Sequence, residues 1–212
     1  KNQADKLIKQ GIKVKLGRPL ELLSFQPWLN KLSSVVISPV IPWDHNTLNE
    51  LRKQGVNVIG EITLAWDRLK HLPWIGITGT NGKTTVTHML KHVFESNQLK
   101  APMGGNVGNS AAEIALQYQK ENKIPDWLIM ELSSYQLEAA PEISPLIGIW
   151  TNLTPDHLER HGSLKAYSSI KQRLLQNSEN PIYNADDSYL MKQRPNIKKG
   201  IWTSTKGSGS LK

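Results

Sequence analysis

Apolar and polar positions along the chain fall into two rhythms. Short apolar runs rich in β-branched residues recur at 35–38, 56–59, 74–78, 127–130, 146–150 and 182–184. Runs of that length and composition suit buried strands. Between them lie stretches whose apolar residues return at helical spacing, at 47–54, 62–69, 83–95, 110–119 and 164–175. These read as helices, the first stopped by Gly55. Steady strand–helix alternation predicts an α/β fold with a mainly parallel sheet covered by helices. Pro73 marks the expected boundary between two domains, 1–72 and 73–212.

Composition narrows the class. Hydrophobic residues make up 38% of the 212, which supports a packed core. The formal net charge is +8, yet the Lys and Arg residues are scattered and form no long run. A basic surface of that kind fits a soluble protein as well as it fits an anionic ligand. The absence of cysteine excludes a disulfide framework and a thiolate metal site, and is compatible with a reducing cytoplasm. No apolar stretch of about 18 residues is present, so no membrane-spanning helix is expected. Lys1-Asn2-Gln3 leads into no signal-peptide core, and 206–212 reads as a loop. Both ends look cut, which predicts a fragment.

Candidate chemistry begins where the strand at 74–78 ends. Thr78-Gly79-Thr80-Asn81-Gly82-Lys83-Thr84-Thr85 follows it and opens a helix. Glycines let a backbone turn so that its N–H groups face a phosphate, and a helix N-terminus adds partial positive charge. In this pattern Lys83 reaches the β- and γ-phosphates and Thr84 offers its hydroxyl to Mg²⁺. Gly79, Thr80, Asn81, Gly82, Lys83, Thr84 and Thr85 are therefore the candidate ATP-binding residues. The general motif also has a glycine where Ile77 stands, so the loop is a variant.

The later candidates also fall just after strands, where ligands gather in parallel sheets. Gly104-Gly105-Asn106-Val107-Gly108 is a second glycine-rich turn. Met130-Glu131-Leu132-Ser133-Ser134-Tyr135-Gln136-Leu137-Glu138 places Glu131 at a strand end, where carboxylate oxygens can hold Mg²⁺. Thr151-Asn152-Leu153-Thr154-Pro155-Asp156-His157 brings a histidine that can ligate a metal. Each has an ordinary reading when taken singly. A strand-end Glu usually caps or is solvated, a lone His is more often structural, and a helical Lys such as Lys171 is normally a solvated charge.

Taken in order, these segments resemble the Mur ligase family. Gly79 to Thr85 is similar to the family's ATP loop. Glu131-Leu132-Ser133-Ser134-Tyr135-Gln136-Leu137-Glu138 and the turn at Asn106 are similar to its D-glutamate-adding branch. Asp156-His157 with Arg160-His161-Gly162-Ser163 is similar to its metal loop, and Ile37 to His45 to its uridine-nucleotide domain. The resemblance implies that Lys83, His157 and Lys171 are catalytic, and that Asn106, Ser133 and Gln136 contact substrate. It implies that Thr84, Glu131, His157 and Lys171 hold Mg²⁺, two ions in all. Lys171, four residues after Tyr167, is the position that the family carbamylates with CO₂. Ile170 stands where the family usually has Ala, and Val40 where it has Gly. His161 is left structural and the role of Asp156 open.

The fold so implied is α/β: a partial Rossmann-like N-terminal domain, then a P-loop-type central ATPase domain with a mainly parallel sheet, truncated at both ends and without the C-terminal ligase domain. The implied partners are UDP-N-acetylmuramoyl-L-alanine and D-glutamate, with ATP as co-substrate. No nucleic acid and no membrane partner is implied, and the expected state is a cytoplasmic monomer. The implied reaction phosphorylates the substrate carboxylate and lets the D-glutamate amine displace phosphate. Three alternatives remain open on sequence. Another ligase of the superfamily would use a different acceptor. A nucleic-acid-dependent ATPase would show salt-sensitive binding, although no basic–aromatic stripe is visible. A nucleotide-binding module would not turn over.

Overall fold

A computed structural model describes residues 2–121 and 124–207. Of the loop read at 206–212, residues 208–212 lie outside the described residues. In chain order the elements are α1 (Asn2–Lys9), β1 (Ser34–Ile37), α2 (Asn46–Lys53), β2 (Asn57–Gly60), α3 (Glu61–Leu69), β3 (Trp74–Thr78), α4 (Lys83–Ser96) and β4 (Met103–Gly105). There follow α5 (Ala111–Glu121), β5 (Leu128–Glu131), α6 (Ser134–Glu138), β6 (Ile147–Trp150), α7 (Leu158–His161), α8 (Leu164–Asn177), β7 (Asn180–Asn184), α9 (Ser188–Gln193) and β8 (Ile201–Thr203). No helix among the described residues is long and apolar enough to cross a membrane.

The chain divides into two compact units. The smaller comprises Lys1–Val35 and Asp44–Val58. Within it, the His45 ring accepts from the Thr47 amide to start α2, and the Thr47 hydroxyl donates to the Leu20 carbonyl at 2.9 Å. The larger comprises Val36–Trp43 and Ile59–Lys212. It therefore takes α3 and the segment 36–43, both of which precede Pro73.

Six parallel strands order as β4-β5-β3-β6-β7-β8 in the larger unit. After β3 the chain builds β4 and β5 on one side, then crosses to β6, β7 and β8 on the other. β3 is thus the point where winding reverses, and the crevice at its carboxyl end is the natural ligand site. The pleat splits the core between two faces. Trp74, Leu128, Met130 and Trp150 pack with Ile62 and Ala65 of α3, Ile114 of α5, and Leu174 and Leu175 of α8. Ile75, Ile77 and Ile129 pack with Val86, Leu90 and Phe94 of α4. Every residue of β3 is buried, so the strand that carries the phosphate loop is held on both faces. Full burial of each large apolar side chain contributes about 1.5–3 kcal/mol, which makes this central strand the rigid base of the site.

Candidate functional site

The loop from Gly79 to Gly82 joins β3 to α4 and turns under outside restraint. Gly79 is at φ 149°, and a Cβ there would meet the Thr151 hydroxyl at 1.9 Å. No side chain fits that approach. Thr80 N–H donates to the Asn152 carbonyl at 3.1 Å, and the Thr80 hydroxyl donates to the Thr154 carbonyl at 3.1 Å. Asn81 and Asn152 make a reciprocal pair: Asn81 N–H donates to Asn152 Oδ1 at 2.8 Å, and Asn152 Nδ2 donates to the Asn81 carbonyl at 3.0 Å. Thr151 Oγ1 donates to the same carbonyl at 2.7 Å. Gly82, at φ 78°, then opens the 14-residue helix α4. Lys83 Nζ reaches back over the loop to the Thr80 carbonyl at 2.9 Å, and Thr85 follows in the exposed first turn.

Beside the loop, β5 delivers Glu131. Its carboxylate is 1% exposed and fully engaged. Thr84 Oγ1 donates to Oε2 at 2.7 Å and Asn106 Nδ2 donates to Oε1 at 2.8 Å. Asn106 arrives there because β4 runs alongside β5. A Cβ on Gly105 would meet the Glu131 carbonyl at 2.3 Å, so glycine permits the approach.

Ser133 and Gln136 open α6 as a capping box. Ser133 Oγ accepts from the Gln136 amide, and Gln136 Oε1 accepts from the Ser133 amide at 3.0 Å. The two side chains are thus engaged with each other while lining the cleft.

The segment after β6 carries His157, at φ 51°. Asp156 Oδ1 accepts from the His157 amide at 2.9 Å, and Asp156 Oδ2 lies 3.5 Å from Nε2. The Tyr135 hydroxyl is 3.2 Å from Nδ1. His161, left structural on sequence, is buried, with Nε2 3.0 Å from the Ser134 hydroxyl and its ring stacked on Tyr167. Burial lowers its pKa, opposed by the nearby Glu138 carboxylate. Arg160 donates from Nη2 to Glu138 at 2.6 Å and to the Ile41 carbonyl at 3.1 Å. The segment 36–40 that Arg160 steadies also lines the cleft. Val40 does not take a positive φ.

Lys171, on α8, is 1% exposed. Its Nζ donates to the Gly79 carbonyl at 2.9 Å and lies 4.6 Å from the centre of the Tyr167 ring. Burial and then the charge of Lys83 hold its pKa down at about 7, with Asp156 opposing. An ordinary lysine is a fully charged ammonium near neutrality; this one is poised between amine and ammonium.

These groups share one cleft of about 740 Å³, lined by Gly79, Thr80, Lys83, Asn106, Ser133, Gln136, His157 and Lys171. Glu131 and Thr84 join it through Asn106 and the first turn of α4. Tyr167, Tyr135, Thr151 and Asn152, unassigned on sequence, brace it. Their signal was position alone, since each sits just after a strand or beside a candidate.

A divalent ion can be tested against these residues. Thr84 and Glu131 offer a hydroxyl and a carboxylate oxygen 2.7 Å apart, hard ligands of the kind Mg²⁺ takes. Among the described residues no three His, Cys, Asp or Glu side chains converge on one point. Such sparse protein ligation suits Mg²⁺, which keeps water and substrate phosphate as its other ligands. Lys171 differs, because an amine that donates to a carbonyl is not an oxygen ligand.

Residues 77–211 match the Mur ligase middle domain family. The chain is 63% identical over 202 residues to the UDP-N-acetylmuramoylalanine–D-glutamate ligase of Prochlorococcus marinus (strain MIT 9313), covering 95% of this chain and 44% of that protein. It is 58% identical over 207 residues to the protein of the same name from Parasynechococcus marenigrum (strain WH8102), covering 97% and 45%. The chain therefore spans less than half the length of the curated relatives it matches. Among solved structures, the UDP-N-acetylmuramate:L-alanyl-gamma-D-glutamyl-meso-diaminopimelate ligase of Neisseria meningitides superposes with a TM-score of 0.64 at 18% identity, covering 95% of this chain and 65% of that one. That likeness is one of fold. With the phosphate loop, Glu131, His157 and Lys171 all inside the matched stretch, the chain belongs to the Mur ligase family.

Proposed function

We propose that the protein is an ATP-dependent ligase that joins D-glutamate to UDP-N-acetylmuramoyl-L-alanine. The observation that carries this reading is the union of Lys83, the Thr84–Glu131 pair and buried Lys171 at one phosphate loop. The relatives at 63% and 58% identity, named for D-glutamate ligation, supply the acceptor.

A carboxylate resists attack by an amine because its own charge repels it and oxide is a poor leaving group. Phosphorylation removes both obstacles. The substrate carboxylate oxygen attacks the γ-phosphorus, ADP leaves, and an acyl phosphate forms. The D-glutamate amine then attacks the carbonyl carbon, loses a proton, and expels phosphate. Lys83 and the amides of the loop bind and stabilise the phosphoryl oxygens as charge shifts onto them. Thr84 and Glu131 would hold one Mg²⁺, which would neutralise phosphate charge. Asn106 orients the Glu131 carboxylate from its other oxygen and reaches the muramoyl substrate. Ser133 and Gln136 face that substrate from α6.

Lys171 is the candidate for carbamylation. The ammonium first gives up a proton; the neutral amine then attacks CO₂ and loses a second, which leaves an anionic carbamate with oxygen ligands. The carbamate oxygens and His157 would hold a second ion, which would add positive charge beside the phosphates. The low pKa supports this, because only the neutral amine attacks CO₂. Residues 1–72 belong to the uridine-nucleotide substrate domain and 73–212 to the central ATP-binding domain. ATP as co-substrate argues for the cytoplasm.

The test is phosphate release by the full-length protein with UDP-N-acetylmuramoyl-L-alanine, ATP and Mg²⁺, comparing D-glutamate, L-lysine, meso-diaminopimelate and no acceptor. Release that depends on D-glutamate supports the reading. Release that depends on another acceptor keeps the ligase chemistry and overturns its specificity.

A further inference from the structure

We propose that Asn152 is a positioning residue that fixes the shape of the phosphate loop from outside. The inference rests on the reading that this loop binds ATP, and it assigns the loop's order to a neighbouring strand end rather than to the loop's own glycines.

The argument starts from what the loop lacks. Ile77 fills the place where the general motif has its first glycine, and Ile77 is fully buried in β3. Turning is left to the few residues between Gly79 and Gly82, and that short loop needs another source of order. The reciprocal Asn81–Asn152 pair supplies it. One amide side chain accepts from the Asn81 N–H and donates to the Asn81 carbonyl, so the peptide links on both sides of Asn81 are fixed at once. Thr151 adds a second donor to the same carbonyl, and the Asn152 backbone carbonyl accepts from Thr80. Asn152 itself is anchored because β6 pairs with β3 in parallel, which places Trp150 beside Thr78. The strand that ends at Trp150 also leads to Asp156 and His157. A single rigid strand end therefore sets both the phosphate loop and the histidine loop.

A donor–acceptor side chain suits this task and an apolar one does not. Removing it leaves the Asn81 N–H without its acceptor and the Asn81 carbonyl with Thr151 alone, and the loop gains conformations in which its amides do not converge on phosphate. The effect should fall on nucleotide affinity and on local order, while the buried sheet keeps its stability.

The test uses the full-length protein and Asn152→Ala. Amide hydrogen exchange is read at Asn81, MgATP affinity by titration, and global stability by thermal melting. Exchange at Asn81 should quicken about tenfold or more and MgATP affinity fall by about the same factor, with little change in melting temperature. Should Asn152→Ala not fold, Asn152→Ser, which shortens the side chain and keeps it polar, gives the same readings. Unchanged exchange at Asn81 overturns the proposal whatever ATP does. Faster exchange with unchanged affinity overturns the positioning role and keeps the clamp as a local structural contact. If the parent protein does not bind MgATP while Lys83→Ala melts like it, the ATP reading itself fails, and the positioning role falls with it.

Discussion

Burial of Lys171 ties the stability of the fold to pH. Its folded pKa of about 7 lies below the ordinary value of 10.5. Below the folded pKa both states carry the ammonium, and its burial costs in full. Between the two values only the unfolded chain holds the proton, so stability rises with pH through that window. Lys171→Met should flatten the rise, read as the urea midpoint at two pH values inside the window. An equal rise in the variant would contradict the burial argument. Gly79 makes a second point at this scale. Gly79→Ala forces a methyl group into Thr151, which should cost about 1–3 kcal/mol and abolish MgATP binding, checked by melting and titration. The Gly79–Thr85 loop was legible from residue types because glycine, lysine and threonine leave few alternatives after an apolar strand. The environment of Lys171 was not. Its residue type reads as a solvated charge, and only tertiary packing buries it beneath Tyr167 and the Gly79 carbonyl.

Among the elements, α6 carries Gln136 on only five residues, and its capping box satisfies the start of so short a helix. Ser133→Ala removes the Gln136 amide's acceptor and should cost about 1 kcal/mol in urea unfolding. If Ser133 also meets substrate, the KM for UDP-N-acetylmuramoyl-L-alanine rises beyond what that loss of stability explains; an unchanged KM leaves Ser133 a cap alone. The long elements of the large sheet could be read from period, since β3, β5 and β6 are apolar runs and α4 and α8 keep helical spacing. α6 and α7 escaped because one or two turns show no periodicity. β4 escaped because Met103-Gly104-Gly105 has no strand-like side chains beyond its first. Glycine is there so that the turn can lie against Glu131, and a contact between distant segments leaves no local pattern.

At the scale of the molecule, parallel pairing gathers the candidates. Glu131 ends β5, the phosphate loop follows β3, and the histidine loop follows β6, three adjacent strands of one sheet. Sequence order predicted that each candidate follows a strand; it could not say which strands are neighbours. The order β5-β3-β6 makes them so. Lys83→Ala should lower turnover by about two orders of magnitude or more while melting like the parent protein, because Lys83 is half-exposed and its loss leaves the core intact. Chelation of Mg²⁺ should stop turnover reversibly, restored by adding the ion back.

The central claim is that this cleft transfers the γ-phosphoryl group to a carboxylate. It is tested most directly by following oxygen. The full-length protein is given UDP-N-acetylmuramoyl-L-alanine labelled with ¹⁸O in its carboxylate, with MgATP and D-glutamate, and the released phosphate is weighed by mass spectrometry. An acyl phosphate requires that each phosphate carry one oxygen from the carboxylate, and that its release need D-glutamate. Phosphate whose new oxygen comes from water would mean simple ATP hydrolysis and would contradict the account.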